Sequence, residues 1–170
     1  ALIADIIRLS QLDEGVEMPK ENVELMSLAG EVAEDLRAAA DKASVTITTD
    51  GQSSIVFGVR RLLYEMLYNL CDNAIKYNRP GGSVRIHVEN REQEAAISVL
   101  DTGIGIAPEH QSRIFERFYR VDKSHSKASG GTGLGLSIVK HAAMYHGGKV
   151  ALESEPGRGT EIRVTLPKER

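Results

Sequence analysis

The hydrophobic positions of the first twelve residues repeat at the three- and four-residue spacing of a helix. They are Leu2, Ile3, Ile6, Ile7, Leu9 and Leu12. Asp13, Glu14 and Gly15 then end the pattern. The apolar stripe has no partner in the neighbouring sequence, and the chain begins with Ala1 in the middle of the pattern. We therefore expect these residues to be the end of a helix that starts further upstream in a larger protein.

The next segment contains a connector, a helix and a strand. Pro19 lies within residues 16–25, which predict a connector running into a short strand. Ser27 is a candidate N-cap for a helix over residues 28–43. Residues 45–49 are rich in β-branched side chains and predict the strand that follows.

A longer helical pattern follows turn residues 50–54 and covers residues 59–76. Asn78, Pro80, Gly81 and Gly82 end it. Residues 83–90 and 95–100 then alternate as strands about a polar turn, which predicts a β-hairpin.

The last third of the chain predicts a long loop and then a helix and two strands. Residues 102–135 are rich in Gly, Ser, Lys and Arg, and only residues 114–119 are amphipathic. A loop of this length inside a compact domain is usually functional, for example as a lid over a ligand. A helix over residues 134–145 follows, and the chain ends with strands at 149–154 and 160–166.

These elements predict one α/β (α+β) domain in which helices pack against one mostly antiparallel sheet. The 170 residues, 41% of them hydrophobic, suffice for one buried core and leave no room for a second full domain.

Composition excludes several classes of protein. The 21 basic and 24 acidic residues give a net charge of -3, so there is no overall basic field for nucleic acid. Cys71 is the only cysteine, which excludes an internal disulfide and a thiolate metal site and agrees with a reducing, cytoplasmic setting. The apolar run at the start is far shorter than the roughly 20 residues that a membrane span needs, so we expect no membrane contact within this chain.

The long helix carries the first candidate site. Glu65, Asn69, Asn73 and Lys76 are spaced by four, four and three, so they share one face of the helix. Asparagine is a poor choice for a helix surface, whereas its carbonyl oxygen ligates hard cations such as Mg²⁺. The row therefore indicates a site for Mg²⁺ and phosphate. The alternative is a solvated polar face, opposite an apolar stripe formed by Leu63, Met66, Leu67, Leu70 and Ala74, with Cys71 beside it.

Two glycine-rich segments carry the second and third candidate sites. The first reads Asp101-Thr-Gly-Ile-Gly-Ile106 and follows a predicted strand, which fixes a carboxylate beside a backbone that a ligand can approach closely. The second reads Gly130-Gly-Thr-Gly-Leu-Gly-Leu136 and opens a helix, where bare N–H groups and the helix dipole favour a polyphosphate. Neither segment matches a P-loop or a dinucleotide-binding fingerprint, and the protein-kinase catalytic loop is absent from the sequence.

Between the glycine segments the sequence has a local excess of positive charge, which suits a triphosphate but is also compatible with a solvated surface. The basic residues are Arg113, Arg117, Arg120, Lys123 and Lys127.

In order, these segments closely resemble the four boxes of the bacterial histidine-kinase catalytic domain. The boxes read Glu65-x-x-x-Asn69-Leu-x-x-Asn73-Ala-x-Lys76-Tyr77, Asp101-x-Gly-x-Gly105, Phe115-Glu-Arg-Phe118-Tyr-Arg120 and Gly131-Thr-Gly-Leu-Gly-Leu136. Gly157-Arg-Gly-Thr160 is similar to the end of that domain, and Leu9-Ser-Gln-Leu-Asp13 to the end of the dimerisation hairpin. The resemblance implies a domain boundary between residues 1–15 and 16–170.

The resemblance also implies the Bergerat fold, a two-layer sandwich that holds ATP between the long helix and a mobile ATP lid. It implies that Asn69 and Asn73 take Mg²⁺ and phosphate oxygens and that Lys76 meets phosphate. Tyr77 is then expected near the base or ribose. Asp101 is expected to accept from the adenine amino group, with Thr160 supporting it through water.

The catalytic roles are implied in the same way. Arg117 or Arg120 is expected to reach the γ-phosphate, and Glu65 to have an orienting role, because a kinase must not hydrolyse its own ATP. The remaining residues expected at the nucleotide are Gly103, Gly105, Ile106, Phe118, Gly131, Thr132, Gly133, Leu134, Gly135 and Leu136.

The implied activity is transfer of the γ-phosphoryl group of Mg·ATP to a histidine of the dimerisation domain, and then to a response-regulator aspartate. None of the five histidines lies in a His-Glu or His-Asp box, so we expect the acceptor to lie outside this chain, in a homodimeric and membrane-anchored bacterial parent. The alternatives are a serine kinase or ATP-hydrolysing machine with the same nucleotide fold, and a nucleotide-dependent binding module without catalysis.

Overall fold

The computed structural model describes Ile3, Ile6, Ile7, residues 18–116 and residues 135–168. The three isoleucines are helical and exposed, as the helical stripe predicts. The rest of the predicted first helix, and the whole of residues 117–134, lie outside the described residues. None of the described helices is long and apolar enough to cross a bilayer.

The described strands largely follow the predicted ones. They are β1 (Glu21–Glu24), β2 (Thr46–Gly51), β3 (Ile55–Gly58), β4 (Ser83–Asn90), β5 (Glu94–Asp101), β6 (Lys149–Glu155) and β7 (Gly159–Pro167).

The helices in the described ranges are α1 (Leu25–Asp35), α2 (Arg37–Lys42), α3 (Arg60–Lys76), α4 (Pro108–Gln111) and α5 (Gly135–Tyr145). The long helix and the last helix therefore start and end within one residue of their predicted bounds.

Five strands form the main sheet in the order β2-β4-β5-β7-β6. The pair β2–β4 is parallel, and the three other pairs are antiparallel. Strands β1 and β3 form a separate antiparallel pair. The prediction of a mixed, mostly antiparallel sheet is confirmed.

Helices α1, α3 and α5 cover one face of this sheet and share one core with it. The predicted apolar stripe of α3 is buried, with every member at most 5% exposed. Alternation along β4 buries Val84, Ile86 and Val88 and leaves Arg85 exposed on the opposite face. There Asp50 accepts from Arg85 Nε at 2.5 Å, and the Arg85 guanidinium together with His87 lowers the pKa of Asp50 to about 2. The domain is thus a two-layer sandwich with one polar sheet face.

Three local predictions were wrong. The first long helix begins at Leu25, because the Glu24 side chain accepts from the amides of Met26 and Ser27 and so caps it. That helix also breaks at Leu36 into α1 and α2, where one helix was predicted. The predicted turn at residues 50–54 starts too early, because Asp50 and Gly51 still pair with β4. In addition, β3 was not predicted from the sequence, because its four residues are too few for a clear alternation.

Candidate functional site

The polar row predicted on the long helix is present on α3. Glu65, Asn69, Asn73 and Lys76 are all half-buried, whereas the stripe on the other side of the helix is fully buried. Burial of the apolar stripe against the sheet fixes the rotation of α3 and turns the polar row away from the sheet. The four side chains therefore lie together on the face of α3 that points away from the sheet.

The side-chain amide of Asn69 has a defined orientation. Its Nδ2 donates to the backbone carbonyl of Glu65 at 2.8 Å, one turn earlier in the same helix. Its Oδ1 faces Gly135, the first residue of α5, where an added Cβ would lie 3.3 Å from that oxygen. An amide oxygen, which ligates hard cations, thus lies beside a helix N-terminus, which favours anions.

Lys76 has a partner that the sequence interpretation missed. Its Nζ lies 3.0 Å from Oδ2 of Asp72, and both side chains are more than a quarter exposed. The i, i+4 spacing of Asp72 and Lys76 is the signal that could have revealed this ion pair. A phosphate that approaches Lys76 would therefore compete with the Asp72 carboxylate.

Asp101, at the end of β5, is a rigidly held acceptor. Its Oδ1 accepts from the amide of Gly103 at 2.9 Å, and the carboxyl also accepts from the backbone amide of Thr160. Burial raises the pKa of Asp101, and these two amides oppose the rise because they favour the charged form. The carboxyl is thus oriented by the backbone of two separate segments.

The glycines after Asp101 allow backbone segments to come into close contact. An added Cβ at Gly103 would lie 2.4 Å from the carbonyl oxygen of Tyr77. Gly105 has a φ of +74°, and a Cβ there would lie 2.2 Å from the carbonyl oxygen of Glu155. The segment therefore passes between the end of α3 and the β6–β7 turn with no room for a side chain at either glycine.

Ile106 and Thr160 are joined through Ser154, which the sequence interpretation did not select. Ser154 Oγ accepts from the amide of Ile106 at 2.8 Å and lies 2.8 Å from Thr160 Oγ1. Gln111 adds a second link, because its Nε2 donates to the carbonyls of Ile106 at 2.9 Å and Ser154 at 3.1 Å. Both polar side chains occur in short segments without a recognisable motif, so only the fold reveals their contacts.

Of the predicted site residues in the second glycine segment, the structure describes Gly135 and Leu136. Gly135 and Leu136 begin α5, and Leu136 packs against the core. The other predicted residues of the loop lie outside the described residues: Arg117, Phe118, Arg120, Gly131, Thr132, Gly133 and Leu134.

A cation site here would depend on amide oxygens. Within residues 18–116 and 135–168, no group of three or more His, Cys, Asp or Glu side chains could hold a metal ion. Mg²⁺ characteristically takes few protein ligands and keeps water or substrate phosphates as the others. The amide oxygen of Asn69, which faces Gly135, and the side chain of Asn73 on the same face of α3 fit that requirement.

A separate cleft of about 680 Å³ lies at the opposite end of α3, beside Met18 and Val59. Three of its charged residues already have partners, since Arg60 binds Glu31 and Tyr64 donates to Asp35. None of the predicted site residues lines this cleft. The polar row of α3 and the Asp101 segment are therefore the better candidate for chemistry.

The fold and these two elements together define an ATP-binding domain built as an α/β sandwich. The family described as "Histidine kinase-, DNA gyrase B-, and HSP90-like ATPase" matches residues 58–170, and the chain belongs to this family. The resemblance noted from the sequence boxes is confirmed.

Individual relatives narrow the class further. The sensor-like histidine kinase SenX3 of Mycolicibacterium smegmatis is 41% identical over 169 residues, which cover 98% of this chain and 44% of SenX3. The structure of full-length ShkA in complex with AMPPNP aligns with a TM-score of 0.86 at 29% identity, over 98% of this chain and 35% of ShkA. The mycobacterial sensor histidine kinase MprB aligns with a TM-score of 0.75 at 29% identity, over 86% of this chain and 96% of the other.

The chain thus spans less than half the length of SenX3 and corresponds to the catalytic ATPase domain of sensor histidine kinases, the enzymes of two-component systems.

Proposed function

We propose that this domain binds Mg·ATP and donates its γ-phosphoryl group to a histidine nitrogen of a dimerisation and phosphoacceptor domain. The bond between the γ-phosphorus and the β–γ bridging oxygen breaks, a phosphorus–nitrogen bond forms, and ADP leaves. The observation that carries the proposal is the apposition of Asn69 Oδ1 and Gly135, which brings a cation ligand to an anion-binding helix terminus.

The base is recognised by Asp101 in this proposal. Its carboxylate accepts from the adenine amino group, while the amides of Gly103 and Thr160 hold it in place. Gly103, Gly105 and Ile106 form the backbone wall of this end of the site. Tyr77, whose carbonyl accepts from Ile104 at 3.1 Å, lies beside the base or ribose.

The phosphates lie between α3 and the start of α5. Asn69 and Asn73 hold Mg²⁺, whose chemistry here is to neutralise phosphate charge. Lys76 exchanges Asp72 for a phosphate oxygen. Glu65 orients the reacting groups, Arg117 or Arg120 reaches the γ-phosphate, and the second glycine segment up to Leu136 surrounds the triphosphate.

The partners follow from the same proposal. The phosphoacceptor domain belongs to the same parent protein, a homodimer whose catalytic domains lie in the cytoplasm and whose sensor part is anchored in the membrane. The phosphohistidine then passes its phosphoryl group to an aspartate of a response-regulator receiver domain.

Nucleotide binding is the first test. Calorimetry with Mg·ATP should show binding, and Asn73→Ala should weaken it by about 1.5–3 kcal/mol, the range for a lost contact to a charged group. The matched control is Asn22→Ala, because Asn22 is an exposed residue of β1, which pairs with β3 outside the main sheet. Unchanged binding in Asn73→Ala would remove α3 from the site.

Phosphoryl transfer is the second test. The 170-residue chain should take up no label from γ-labelled ATP, and should label a separately supplied phosphoacceptor hairpin of its parent slowly, because transfer requires donor and acceptor to be held in line. The label should be lost in acid and survive in alkali, as phosphohistidine does. Acid-stable label on the chain alone would contradict the proposal and favour a serine kinase.

A further inference from the structure

Arg79, just after α3, is fixed at its backbone on both sides. Its amide donates to Oδ1 of Asn78 at 2.9 Å, and its carbonyl accepts from the amide of Gly82 at 2.9 Å. Asn78 is itself held, because its Nδ2 donates to the carbonyl of Ser83 at 3.0 Å. The Arg79 side chain therefore projects from a rigid turn.

The guanidinium of Arg79 bridges two segments that are distant in sequence. Its Nη2 donates to the carbonyl of Gly103 at 3.0 Å and also to the carbonyl of Gly157. Gly157 in turn donates its amide to the carbonyl of Ile104 at 2.8 Å. Among the described residues no carboxylate forms a salt bridge with Arg79, so its interactions are with the backbone and not with an acid.

These contacts hold the segment whose backbone amide orients Asp101. The peptide between Gly103 and Ile104 is held at both ends, by Arg79 at its oxygen and by the Tyr77 carbonyl at its N–H. The amide of Gly103 is the group that donates to Oδ1 of Asp101. Loss of the Arg79 donor would remove the hydrogen bond that holds the Gly103 carbonyl and would loosen the segment whose amide orients the carboxyl, although Ile104 keeps its bonds to Tyr77 and Gly157.

We propose that Arg79 is a positioning residue for base recognition: it fixes the Gly103 segment so that the Asp101 carboxyl is preset for adenine. The inference rests on the proposed nucleotide site and assigns a specificity role to a residue outside the sequence boxes. Arg79 touches neither substrate nor reacting atoms in this role, and it acts through Gly103.

The test compares ATP and GTP affinities of the 170-residue chain by calorimetry. Arg79→Met removes both hydrogen bonds to the backbone and should weaken ATP binding about tenfold, because the contact of the Asp101 carboxylate with adenine is a charged hydrogen bond on that scale. The effect on GTP binding should be much smaller. The matched control is Arg158→Met, which alters the residue after Gly157 in the same turn but removes only a 3.7 Å contact to Glu155. It should leave both affinities unchanged.

A double-mutant cycle distinguishes positioning of Asp101 by Arg79 from a general structural role of Arg79. In the Asp101→Asn variant, adding Arg79→Met should lower ATP affinity little further, because the two residues belong to one network. In the Asn73→Ala variant, adding Arg79→Met should still lower ATP affinity by its full factor of about ten, because residues outside one network do not couple. Equal loss for ATP and GTP, or full additivity with Asp101→Asn, overturns the proposal.

Folding is checked by thermal unfolding without nucleotide. If Arg79→Met does not fold, Arg79→Lys is measured instead, because an ammonium keeps the charge but not the planar fork of the guanidinium. A ratio of ATP affinity to GTP affinity that is lowered about threefold supports the proposal. An unchanged ratio overturns it. Failure of the unaltered chain to bind ATP, or unchanged binding in Asn73→Ala, would instead refute the nucleotide site itself.

Discussion

The Nε2 atom of His146 accepts a hydrogen bond of 3.0 Å from the backbone amide of Val59, the N-cap residue of α3. The other ring nitrogen, Nδ1, lies 2.7 Å from the carbonyl of Ala142, so it carries the proton and donates. The imidazole is therefore neutral in this arrangement, and it joins the end of α5 to the start of α3. Gly58 leaves room for the ring, because a Cβ there would lie 2.7 Å from Cδ2.

Stability should depend on pH through His146. Burial lowers the pKa of its imidazole, and Lys20 lowers it further, while the Ala142 carbonyl opposes the shift. The unfolded chain takes up this proton near the ordinary value of 6.5, and the folded chain only at lower pH. The stabilisation is thus complete above about pH 6.5 and is lost as the pH falls from there to the folded-state pKa.

The measurement is urea unfolding at about pH 7.5 and about pH 5, on either side of the ordinary histidine pKa. The matched variant is His146→Gln, which offers an acceptor to Val59 but has no charge to gain. It should be less stable than the original at the higher pH and should lose less stability on acidification. Parallel pH profiles for the two proteins would show that His146 does not titrate as proposed.

A methyl group at Gly135 should weaken nucleotide binding. Gly135→Ala places a Cβ 3.3 Å from Asn69 Oδ1, so it crowds the oxygen proposed to ligate Mg²⁺. We expect Mg·ATP affinity to fall about tenfold, or about 1.4 kcal/mol, in calorimetry. The control is Gly30→Ala on α1, where nothing lies within 4 Å of the added Cβ. Equal affinities of both variants and the original chain would contradict the proposed location of the phosphates.

Base preference should depend on Asp101. Asp101→Asn replaces an acceptor-only carboxylate with an amide that can also donate to the guanine carbonyl, so the preference for ATP over GTP should narrow. ATP affinity should fall by about 1.5–3 kcal/mol. Asp50→Asn makes the same change on the polar face of the sheet and should leave both affinities intact. Equal binding of ATP and GTP by the original chain would exclude Asp101 from this role.

Gly51→Ala and Gly81→Ala should distinguish a steric loss of folding stability from a loss that is due to backbone conformation alone. Gly51 has a φ of +116°, and a Cβ there would lie 2.1 Å from the carbonyl oxygen of Val88. Gly81 has a φ of +86°, with nothing within 4 Å. Gly81→Ala should cost about 1 kcal/mol of unfolding free energy from backbone strain alone. Gly51→Ala should cost about 1–3 kcal/mol more, because the parallel β2–β4 pair must also shift. Equal costs in urea unfolding would refute the steric difference.

Local pattern accounts for most of the elements. The apolar spacing of α3 and the alternation of β4 and β5 each follow from which face is buried, and that information is contained within a few neighbouring residues. The exceptions are the start of α1 and the short strand β3. Glu24 caps α1 through a side-chain geometry that its sequence context does not favour over Ser27, and the four residues of β3 form a strand only because β1 pairs with them.

The sequence by itself determined the family, the polar row of α3, the aspartate after β5 and the glycines that permit close backbone contacts. These features depend on residue types at fixed spacing, so they can be inferred from the sequence without knowledge of the fold. Only the tertiary structure decided how they meet: that Asn69 Oδ1 faces Gly135, that Ser154 links Ile106 to Thr160, and that Arg79 holds Gly103 and Gly157. Apart from the Ser154–Thr160 contact across the β6–β7 turn, each of these contacts joins residues far apart in the chain, and their distances are fixed by the packing of the tertiary structure.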